Sequence, residues 1–260
     1  MTAPDFGETA KDYACYRAGF PESFFGRLQA FSVGVPGQAV VDFGTGTGTL
    51  ARGFARRGCR VIGIDVSEAM LAEARRLSDE QRLGVEFRRV RAEETGLPAA
   101  SVDAVTAGQC WHWFDRPRAG AEARRLLKSG GAIVIAHFDW IPLSGNVVDA
   151  TEHLIERHNP TWKLGGAIGL YPQWVHDVDV AGFQHIETFS YDVTVPYTHL
   201  AWRGRVRASA GVGASLPADK VREFDRALAE MLAAQFPFDP LEVPHRVFAV
   251  VARSPGQAGG

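Results

Sequence analysis

Cysteine is scarce in the 260-residue chain, with only Cys15, Cys59 and Cys110, and this limits the sites that the chain can hold. None of the three lies in a C-x-x-C pair, so the sequence predicts no zinc centre, and metal independence is the expectation. Their odd number and wide spacing argue against a disulfide framework. We therefore expect reduced thiols in a cytoplasmic protein.

An excess of charge and long apolar runs are also missing. The formal net charge of −2 at pH 7 gives no electrostatic footprint for nucleic acid or an anionic membrane. No apolar stretch reaches the length of a membrane span, and the residues after Met1 do not begin a signal peptide. With 46% hydrophobic and 22% charged residues, the chain has the composition of an ordinary globular protein. Its length suits one α/β domain with an insertion, or two small domains.

What the sequence does contain is a glycine-rich loop behind a buried strand. Residues 40–43 form an apolar run of strand length that includes Asp42, and Gly44, Gly46 and Gly48 follow at every second position. The spacing of the next apolar residues predicts a helix. Backbone N–H groups at the positive end of a helix dipole would then face a ligand.

Three interpretations compete for this loop. A phosphate cradle of the kinase or GTPase type requires Lys and then Ser or Thr after the last glycine, where this chain has Thr49-Leu50. A dinucleotide fingerprint requires a third glycine at position 49, which is threonine. The third interpretation is an acidic residue, Asp42, two positions before a G-x-G-x-G loop.

A second acidic residue, Asp65, ends the next predicted strand. It follows Gly44 by roughly the 20 residues at which a carboxylate reaches a ribose in a βαβ unit. The two oxygens of a carboxylate match the two hydroxyls of a ribose. Ser67 is expected to cap the following helix. Val66 and Met70 are placed to sandwich an adenine, with core packing as the alternative for Met70.

Alternating strands and helices predict an α/β fold with a doubly wound, right-handed sheet. The predicted strands after Asp65 cover residues 84–90, 102–109, 132–138, 185–193 and 247–252. The later predicted helices cover 115–127, which Gly130-Gly131 ends, and 147–158, 198–210 and 218–235. A polar and aromatic insertion separates the two halves, from about residue 139 to residue 180.

Together these motifs resemble class I S-adenosylmethionine-dependent methyltransferases, in the branch that includes trans-aconitate methyltransferase-like proteins. The resemblance covers about residues 10–138 and rests on the glycine loop, Asp65, Ala92-Glu93 and the run from Leu126 to Gly131. It implies a seven-stranded Rossmann-like sheet with an antiparallel last strand. It also implies S-adenosyl-L-methionine as the cofactor, bound at the carboxyl ends of strands one to four.

The resemblance assigns cofactor contacts residue by residue. Gly44 and Gly46 let the cofactor lie against the loop, Asp65 binds the ribose, and the acidic residue of Ala92-Glu93 receives the adenine amino group. The full expected set is Tyr16, Arg17, Asp42, Gly44, Thr45, Gly46, Asp65, Val66, Met70, Ala92, Glu93 and Gln109.

The segment from Tyr13 to Pro21 is similar to the Tyr-x-x-Tyr-Arg-Pro-x-Tyr-Pro opening of the same relatives. There the segment folds over the cofactor, and its arginine, Arg17 here, can meet the cofactor carboxylate. Ala18 and Phe20 stand where the relatives have proline and tyrosine, which implies a looser lid. A surface arginine is the alternative for Arg17.

The run from Gln109 to Asp115 is similar to the Gln-x-x-His-Trp-Phe stretch of that branch, next to the transferred methyl group. Methyl transfer mainly requires alignment and the exclusion of water. A base is needed only for a protonated acceptor, and His112 is the candidate catalytic residue. A wall residue that orients Trp113 is the alternative for His112.

Other residues are expected to contact the acceptor, which we predict to be a small molecule. His137 ends strand five as a second candidate, and Trp140 opens the aromatic insertion. If Arg203 and Arg207, four apart on one helix face, point inward, the acceptor carries a carboxylate or phosphate. Solvated arginines are the alternative. The expected substrate residues are Trp111, Trp113, His137, Trp140, Arg203 and Arg207, with core packing as the alternative for the first two.

The sequence therefore predicts a methyltransferase acting on a small carboxylic acid or aromatic secondary metabolite. It is expected to be a monomer or homodimer without nucleic-acid or membrane partners. Two other reactions remain open: cyclisation or aminocarboxypropyl transfer with the same cofactor, and nicotinamide-dependent oxidation, which Thr49 disfavours. A non-catalytic binding protein on this fold also remains open.

The expected organisation has five parts. They are a cofactor lid at 1–35, a cofactor-binding core at 36–139, a substrate-cap insertion at 140–184, a segment at 185–253 that completes the sheet, and a disordered tail at 254–260.

Overall fold

The computed structural model describes residues 16–256. Its strands are β1 (Ala39–Phe43), β2 (Arg60–Asp65), β3 (Val85–Arg89), β4 (Val102–Gly108), β5 (Leu127–Trp140), β6 (Gln184–Tyr197) and β7 (Leu241–Arg253). They form one seven-stranded sheet in the order β3-β2-β1-β4-β5-β7-β6.

Helices precede, connect and follow these strands. They are α1 (Glu22–Ala30), α2 (Thr49–Ala55), α3 (Glu68–Glu80), α4 (Arg116–Leu126), α5 (Val147–His158), α6 (Gln173–Val180), α7 (His199–Arg207) and α8 (Ala218–Gln235). A 3₁₀ turn, Trp111–Trp113, lies between β4 and α4.

The strand order reverses at β1, which lies between β2 and β4 and pairs with both in parallel. Val41 aligns with Ile62 of β2 and with Val105 of β4. Parallel strands covered on both faces are buried on both faces, and β1 and β4 are buried along most of their length. In a sheet of this kind the usual ligand site is a crevice at the carboxyl ends of the strands, at the point where the strand order reverses.

The last part of the sheet is antiparallel. The backbone N–H of Ser254, just beyond β7, donates to Gly131 O at 2.8 Å, and the N–H of Ile141 donates to Pro244 O at 2.9 Å. Residue numbers therefore rise along one strand while they fall along the other. The predicted α/β fold, with a doubly wound seven-stranded sheet and an antiparallel end, is confirmed.

The described residues divide into two compact units. The first unit comprises Gly19–Phe138, Tyr171–Ser190 and the residues from Val247 onward, and the second comprises the residues up to Ala18, Asp139–Leu170 and Tyr191–Arg246. The core of the first unit includes Phe43, Val105 and Ile133, and the core of the second includes Trp202 and Phe224. All five of these side chains are fully buried.

The predicted end of the helix before strand five was wrong. The helix α4 ends at Leu126, and Leu127 already has extended backbone angles and begins β5. Leu127 pairs with Val102, and the regular register resumes only at Ala132 opposite Ala104. Gly130, with φ of +71°, therefore belongs to an irregularity within β5, where the left-handed conformation is needed, and does not stop a helix.

The helix α6 was not predicted, because its sequence carries few helix signals. It is eight residues long, begins after Pro172 without a side-chain cap, and buries only Trp174 and Val178. By contrast, α5 and α8 have the predicted bounds. The strands β6 and β7 extend beyond the predicted residues 185–193 and 247–252.

Within residues 16–256, no helix is both long enough and apolar enough to cross a membrane. The same residues contain no group of three or more His, Cys, Asp or Glu side chains placed to hold a metal ion. Tyr13 and the rest of the predicted lid before Tyr16 lie outside the described residues, as do the last four residues of the predicted tail.

Candidate active site

The glycine loop after β1 leaves its backbone open at Gly46. Among residues 16–256, a Cβ added to Gly46 would meet no atom within 4 Å, whereas one added to Gly44 would lie 2.9 Å from Cys110 Sγ. Both residues have positive φ, +55° and +58°, which favours glycine. The loop is therefore packed against its neighbours at Gly44 and exposed to open space at Gly46.

Asp65 holds this loop in place from the end of β2. Its Oδ2 accepts the backbone N–H of Gly46 at 2.9 Å, and its Oδ1 accepts the N–H of Ser67 at 2.9 Å. The side chain is half-buried. Each carboxylate oxygen has a second lone pair, so these contacts leave acceptor capacity for ligand hydroxyls. The capping role predicted for Ser67 is confirmed, since its Oγ accepts from Met70 N at 3.4 Å.

Asp42 lies beneath the loop and is only 2% exposed. It accepts hydrogen bonds from Thr45 Oγ1 at 2.6 Å and from Thr106 Oγ1 at 2.7 Å. Burial raises the pKa of its carboxyl group from 3.8 to about 6, against the opposing effect of the two hydroxyls. The structure thus places Asp42 in a hydrogen-bonded support that joins β1, the glycine loop and β4.

The predicted adenine contacts lie beyond Asp65. Val66 is 58% exposed, and Met70 and Ala92 are buried. The Oε1 atom of Glu93 accepts the N–H of Asp115 at 3.0 Å, so this acid also fixes the start of α4. Val66 therefore offers an apolar surface next to the carboxylate that was predicted to bind a ribose.

Gln109 ends β4 in an uncommon conformation. Its φ is +62°, and non-glycine residues with positive φ are concentrated at functional sites. Its Nε2 donates to Phe138 O at 2.7 Å, while its buried Oε1 has no hydrogen-bond partner among the described residues. The amide orientation follows from this contact, because only the nitrogen can donate to a carbonyl.

The turn at Trp111–Trp113 presents two exposed side chains and one buried side chain. His112 is exposed, Trp113 is 42% exposed, and their ring centroids are 4.4 Å apart. Trp111 is 1% exposed. The Cys110 side chain, just before the turn, lies against Gly44 of the glycine loop. The turn that carries the candidate base and Trp113 therefore begins beside the loop predicted to hold the cofactor.

His137 is 5% exposed at the end of β5 and is surrounded by aromatic rings. Its ring centroid is 5.3 Å from that of His112, 4.4 Å from Tyr171 and 4.8 Å from Trp174. The rings of Tyr171 and Trp174 are stacked at 4.1 Å. The structure therefore brings the two predicted histidines together.

The remaining predicted site residues lie in the second unit. Arg203 Nε and Arg207 Nη1 donate to Asp225 Oδ1 at 3.1 and 2.8 Å, so both guanidinium groups contact a carboxylate of α8. Trp140 Nε1 donates to Glu152 Oε1 at 2.8 Å. Arg17 is half-buried.

Tyr16 packs so closely on α7 that a Cβ added to Gly204 would lie 2.2 Å from its ring. Because an alanine at this position would clash with the ring, glycine is required there. Tyr16 is therefore part of the packing of the second unit.

Sequence reasoning missed several buried polar residues. Arg205 is 8% exposed, with its guanidinium 4.5 Å from the centroid of the Trp140 ring. His245 is 2% exposed, and burial lowers its pKa from 6.5 to about 4. Arg52 is 7% exposed and donates to the carbonyl of Thr47 in the glycine loop. Of these, only Arg205 carried a signal, since it alternates with Arg203 and Arg207 on one helix.

Comparison with known proteins identifies the part of the chain that carries these loops. Residues 41–135 match the methyltransferase domain family. A ubiquinone biosynthesis O-methyltransferase of Alkalilimnicola ehrlichii is 35% identical over 43% of this chain and 46% of its own length. The chain spans about half the length of the curated relatives it matches.

Solved structures resemble the chain over most of its length. The structure named "Putative Type II Methyltransferase from Anaeromyxobacter dehalogenans" superposes with a TM-score of 0.66 and 26% identity, covering 93% of this chain and all of that one. A phosphoethanolamine N-methyltransferase of Haemonchus contortus, solved with S-adenosyl-L-methionine, gives 0.57 at 20% identity and covers 98% of this chain and 61% of that one. The segment that carries the glycine loop, Asp65 and the Trp111–Trp113 turn therefore matches the methyltransferase domain family, and the chain has the fold of these solved methyltransferase structures.

Proposed function

We propose that the protein is an S-adenosylmethionine-dependent methyltransferase that methylates a small molecule by in-line displacement. The observation that carries the proposal is the open backbone at Gly46, held by the carboxylate of Asp65 within the segment that matches the methyltransferase domain. A cofactor without a pyrophosphate suits this loop, because Thr49 replaces the third glycine of a dinucleotide fingerprint.

The described residues fit this cofactor. Asp65 retains acceptor capacity for the ribose hydroxyls, the exposed Val66 covers one face of the adenine, and Gly46 gives the backbone room for close approach. S-adenosylmethionine supplies an electrophilic methyl group at its sulfonium. The chain contributes alignment and the exclusion of water, and Asp42 supports the loop from beneath.

His112 is the residue we propose as the base for a protonated acceptor. It is exposed and follows by two residues Cys110, whose side chain contacts the glycine loop at Gly44, and the exposed ring of Trp113 lies beside it. Because Arg203 and Arg207 both contact Asp225, we favour an aromatic acceptor over a carboxylic acid. The name of the Alkalilimnicola ehrlichii relative, which refers to ubiquinone biosynthesis, supports a small aromatic ring.

The finer assignments belong to the same proposal. The Gln109–Asp115 run supports the trans-aconitate methyltransferase-like branch. A net charge of −2 supports a protein without a nucleic-acid or membrane partner. We further propose a cytoplasmic monomer or homodimer, a lid in residues 1–35 and a substrate cap in 140–184.

Calorimetry with S-adenosylhomocysteine tests the cofactor assignment. Asp65→Asn keeps one oxygen for the N–H of Gly46 but loses the charge, so we expect binding to weaken roughly 10- to 100-fold, the range for a lost charged hydrogen bond. Asp65→Ala should weaken binding further. Glu80→Ala, at the exposed end of α3, is the control and should bind as the wild type does. Equal affinity in all four proteins would contradict the ribose role of Asp65.

A further inference from the structure

The buried residue of the Trp111–Trp113 turn is fixed by the helix that the sequence did not reveal. Trp111 Nε1 donates to Asp177 Oδ2 of α6 at 3.0 Å. The Asp177 side chain is only 14% exposed. A buried indole N–H requires an acceptor, and this carboxylate provides it.

A third residue holds the carboxylate itself. Arg116, in the first turn of α4, donates from Nη1 to Asp177 Oδ2 at 3.1 Å and to Oδ1 at 3.3 Å. Trp111 precedes this helix and Arg116 begins it, so one carboxylate bridges the two ends of the connection that contains His112. The charge on Asp177 is thus balanced, and its position is fixed from two sides.

The same helix approaches the turn a second time through its aromatic face. Trp174, 1% exposed, contacts the ring of His137 at 4.8 Å, and His137 in turn contacts His112 at 5.3 Å. Two separate paths therefore lead from α6 to the turn, one through Asp177 and Trp111 and one through Trp174 and His137.

We propose that Asp177 is a positioning residue that, through Trp111, fixes the direction in which His112 and Trp113 face the acceptor. This inference rests on the proposed function for its meaning, because it concerns the acceptor side of that site. The backbone of the turn has two internal hydrogen bonds, from Trp113 N–H to Cys110 O at 2.9 Å and from Phe114 N–H to Trp111 O at 3.3 Å. The anchored Trp111 side chain adds the link between the turn and α6, and a displacement of about 1 Å is enough to slow an aligned reaction markedly.

The fluorescence of Trp113 reports this geometry without any substrate. A protonated imidazole quenches a neighbouring indole, and the rings of His112 and Trp113 are 4.4 Å apart. The Trp113 signal is obtained by subtracting the emission of the same protein carrying Trp113→Phe. In the wild type we expect this signal to fall as pH is lowered across the range in which imidazoles ordinarily protonate, and His112→Asn should abolish the change.

The Asp177 variants then decide the proposal. Asp177→Ala should reduce the pH-dependent amplitude at least about twofold, because the imidazole and the indole no longer keep their mutual orientation. Asp177→Asn keeps an acceptor for the indole N–H and should restore most of the amplitude. Wild-type amplitude in Asp177→Ala, at an unchanged melting temperature, would overturn the proposal. If Asp177→Ala does not fold, Trp111→Phe keeps an aromatic side chain at this position, removes the indole N–H donor and gives the same readout.

A second measurement separates this proposal from the assigned function. S-adenosylhomocysteine should bind Asp177→Ala within about twofold of the wild type, since the hydrogen bonds of Asp177 run to Trp111 and Arg116, on the acceptor side of the site. If the wild type itself fails to bind, the methyltransferase proposal fails while the fluorescence result still tests the positioning role. A parallel loss of cofactor affinity and quenching in Asp177→Ala would show a general structural role and would also overturn the proposal.

Discussion

At the scale of single residues, the site depends on an open backbone position and on a buried charge. Gly46 combines positive φ with free space where a side chain would stand, and Asp42 is a carboxylate with almost no access to solvent. The backbone at Gly46 leaves room for a ligand to approach. The Asp42 carboxylate lowers the free energy of unfolding, because burial disfavours its ionised form.

Gly46→Ala should impair cofactor binding far more than it impairs folding. The left-handed conformation costs alanine about 1–2 kcal/mol, and the new methyl group would occupy the space left for the ligand. Gly130→Ala is the matched control, because Gly130 also has positive φ and no atom within 4 Å of an added Cβ. We expect both variants to lose similar stability in urea denaturation. Only Gly46→Ala should bind S-adenosylhomocysteine at least about tenfold more weakly.

Asp42 predicts a specific dependence of stability on pH. Its pKa is about 6 in the folded protein and has its ordinary value of 3.8 in the unfolded chain, so between these values the folded state holds the extra proton. The free energy of unfolding therefore falls as pH rises from about 4 to 6. Above pH 6 the ionised, buried Asp42 lowers the free energy of unfolding by about 3 kcal/mol. In Asp42→Asn this loss should disappear, and urea denaturation at pH 4.5 and 7.5 measures it.

His245 gives the free energy of unfolding the opposite dependence on pH, so its contribution has to be separated from that of Asp42. Its pKa of about 4 lies below the ordinary 6.5, so its burial costs stability increasingly as pH falls from 6.5 to 4. The difference between Asp42→Asn and the wild type at each pH cancels this contribution, since His245 is present in both. A difference that does not change with pH would show that Asp42 is not the titrating group.

At the scale of elements, the sequence predicted those helices whose limits are encoded locally. Val147–His158 follows Asn146, whose side chain accepts the N–H of Asp149 at 2.8 Å, so its start is visible in the sequence. The eight-residue α6 has no such cap, and its contacts to Trp111 and Arg116 come from residues more than fifty positions away. Tertiary packing of this kind leaves no local pattern to read.

Helix α2 packs against α1 at a glycine that cannot accept a side chain. A Cβ added to Gly53 would lie 2.1 Å from Phe25 Cζ, whereas one added to Gly26 of α1 would meet nothing within 4 Å. Alanine gains roughly 1 kcal/mol over glycine within a helix, and overpacking costs about 1–3 kcal/mol. Gly26→Ala should therefore raise the free energy of unfolding, and Gly53→Ala should lower it in the same urea assay. Stabilisation by Gly53→Ala would show that α1 shifts freely on α2.

At the scale of the whole molecule, the doubly wound seven-stranded sheet could be inferred from the sequence, whereas the surroundings of most site residues could not. The offset between Gly44 and Asp65 follows from chain length in a βαβ unit, and the structure brings the Asp65 carboxylate to the loop. The four-residue spacing of Arg203 and Arg207 correctly places them together, yet their partner Asp225 is on another helix. The partner of each charged side chain is set by contacts between residues that are distant in the sequence.

Cofactor binding should stabilise the folded protein as a whole. S-adenosylhomocysteine at about 100 times its dissociation constant should add about 2.7 kcal/mol, provided that it does not bind the unfolded chain. For a protein of this size such a gain corresponds to several degrees in melting temperature. Thermal scans with and without the ligand measure it, and Asp65→Ala should show little shift at the same concentration. A nicotinamide dinucleotide that stabilised the protein instead would favour the oxidoreductase alternative.

The contact at Gly44 has a consequence for protein engineering. Because Cys110 Sγ and the Phe114 ring approach to 2.9 and 3.0 Å of the position that a Cβ would occupy there, the connections after β1 and β4 interlock. A chimaera that imports only one of them from a relative brings a surface shaped for a different partner. Grafts that aim to change acceptor preference should therefore exchange both connections as a pair.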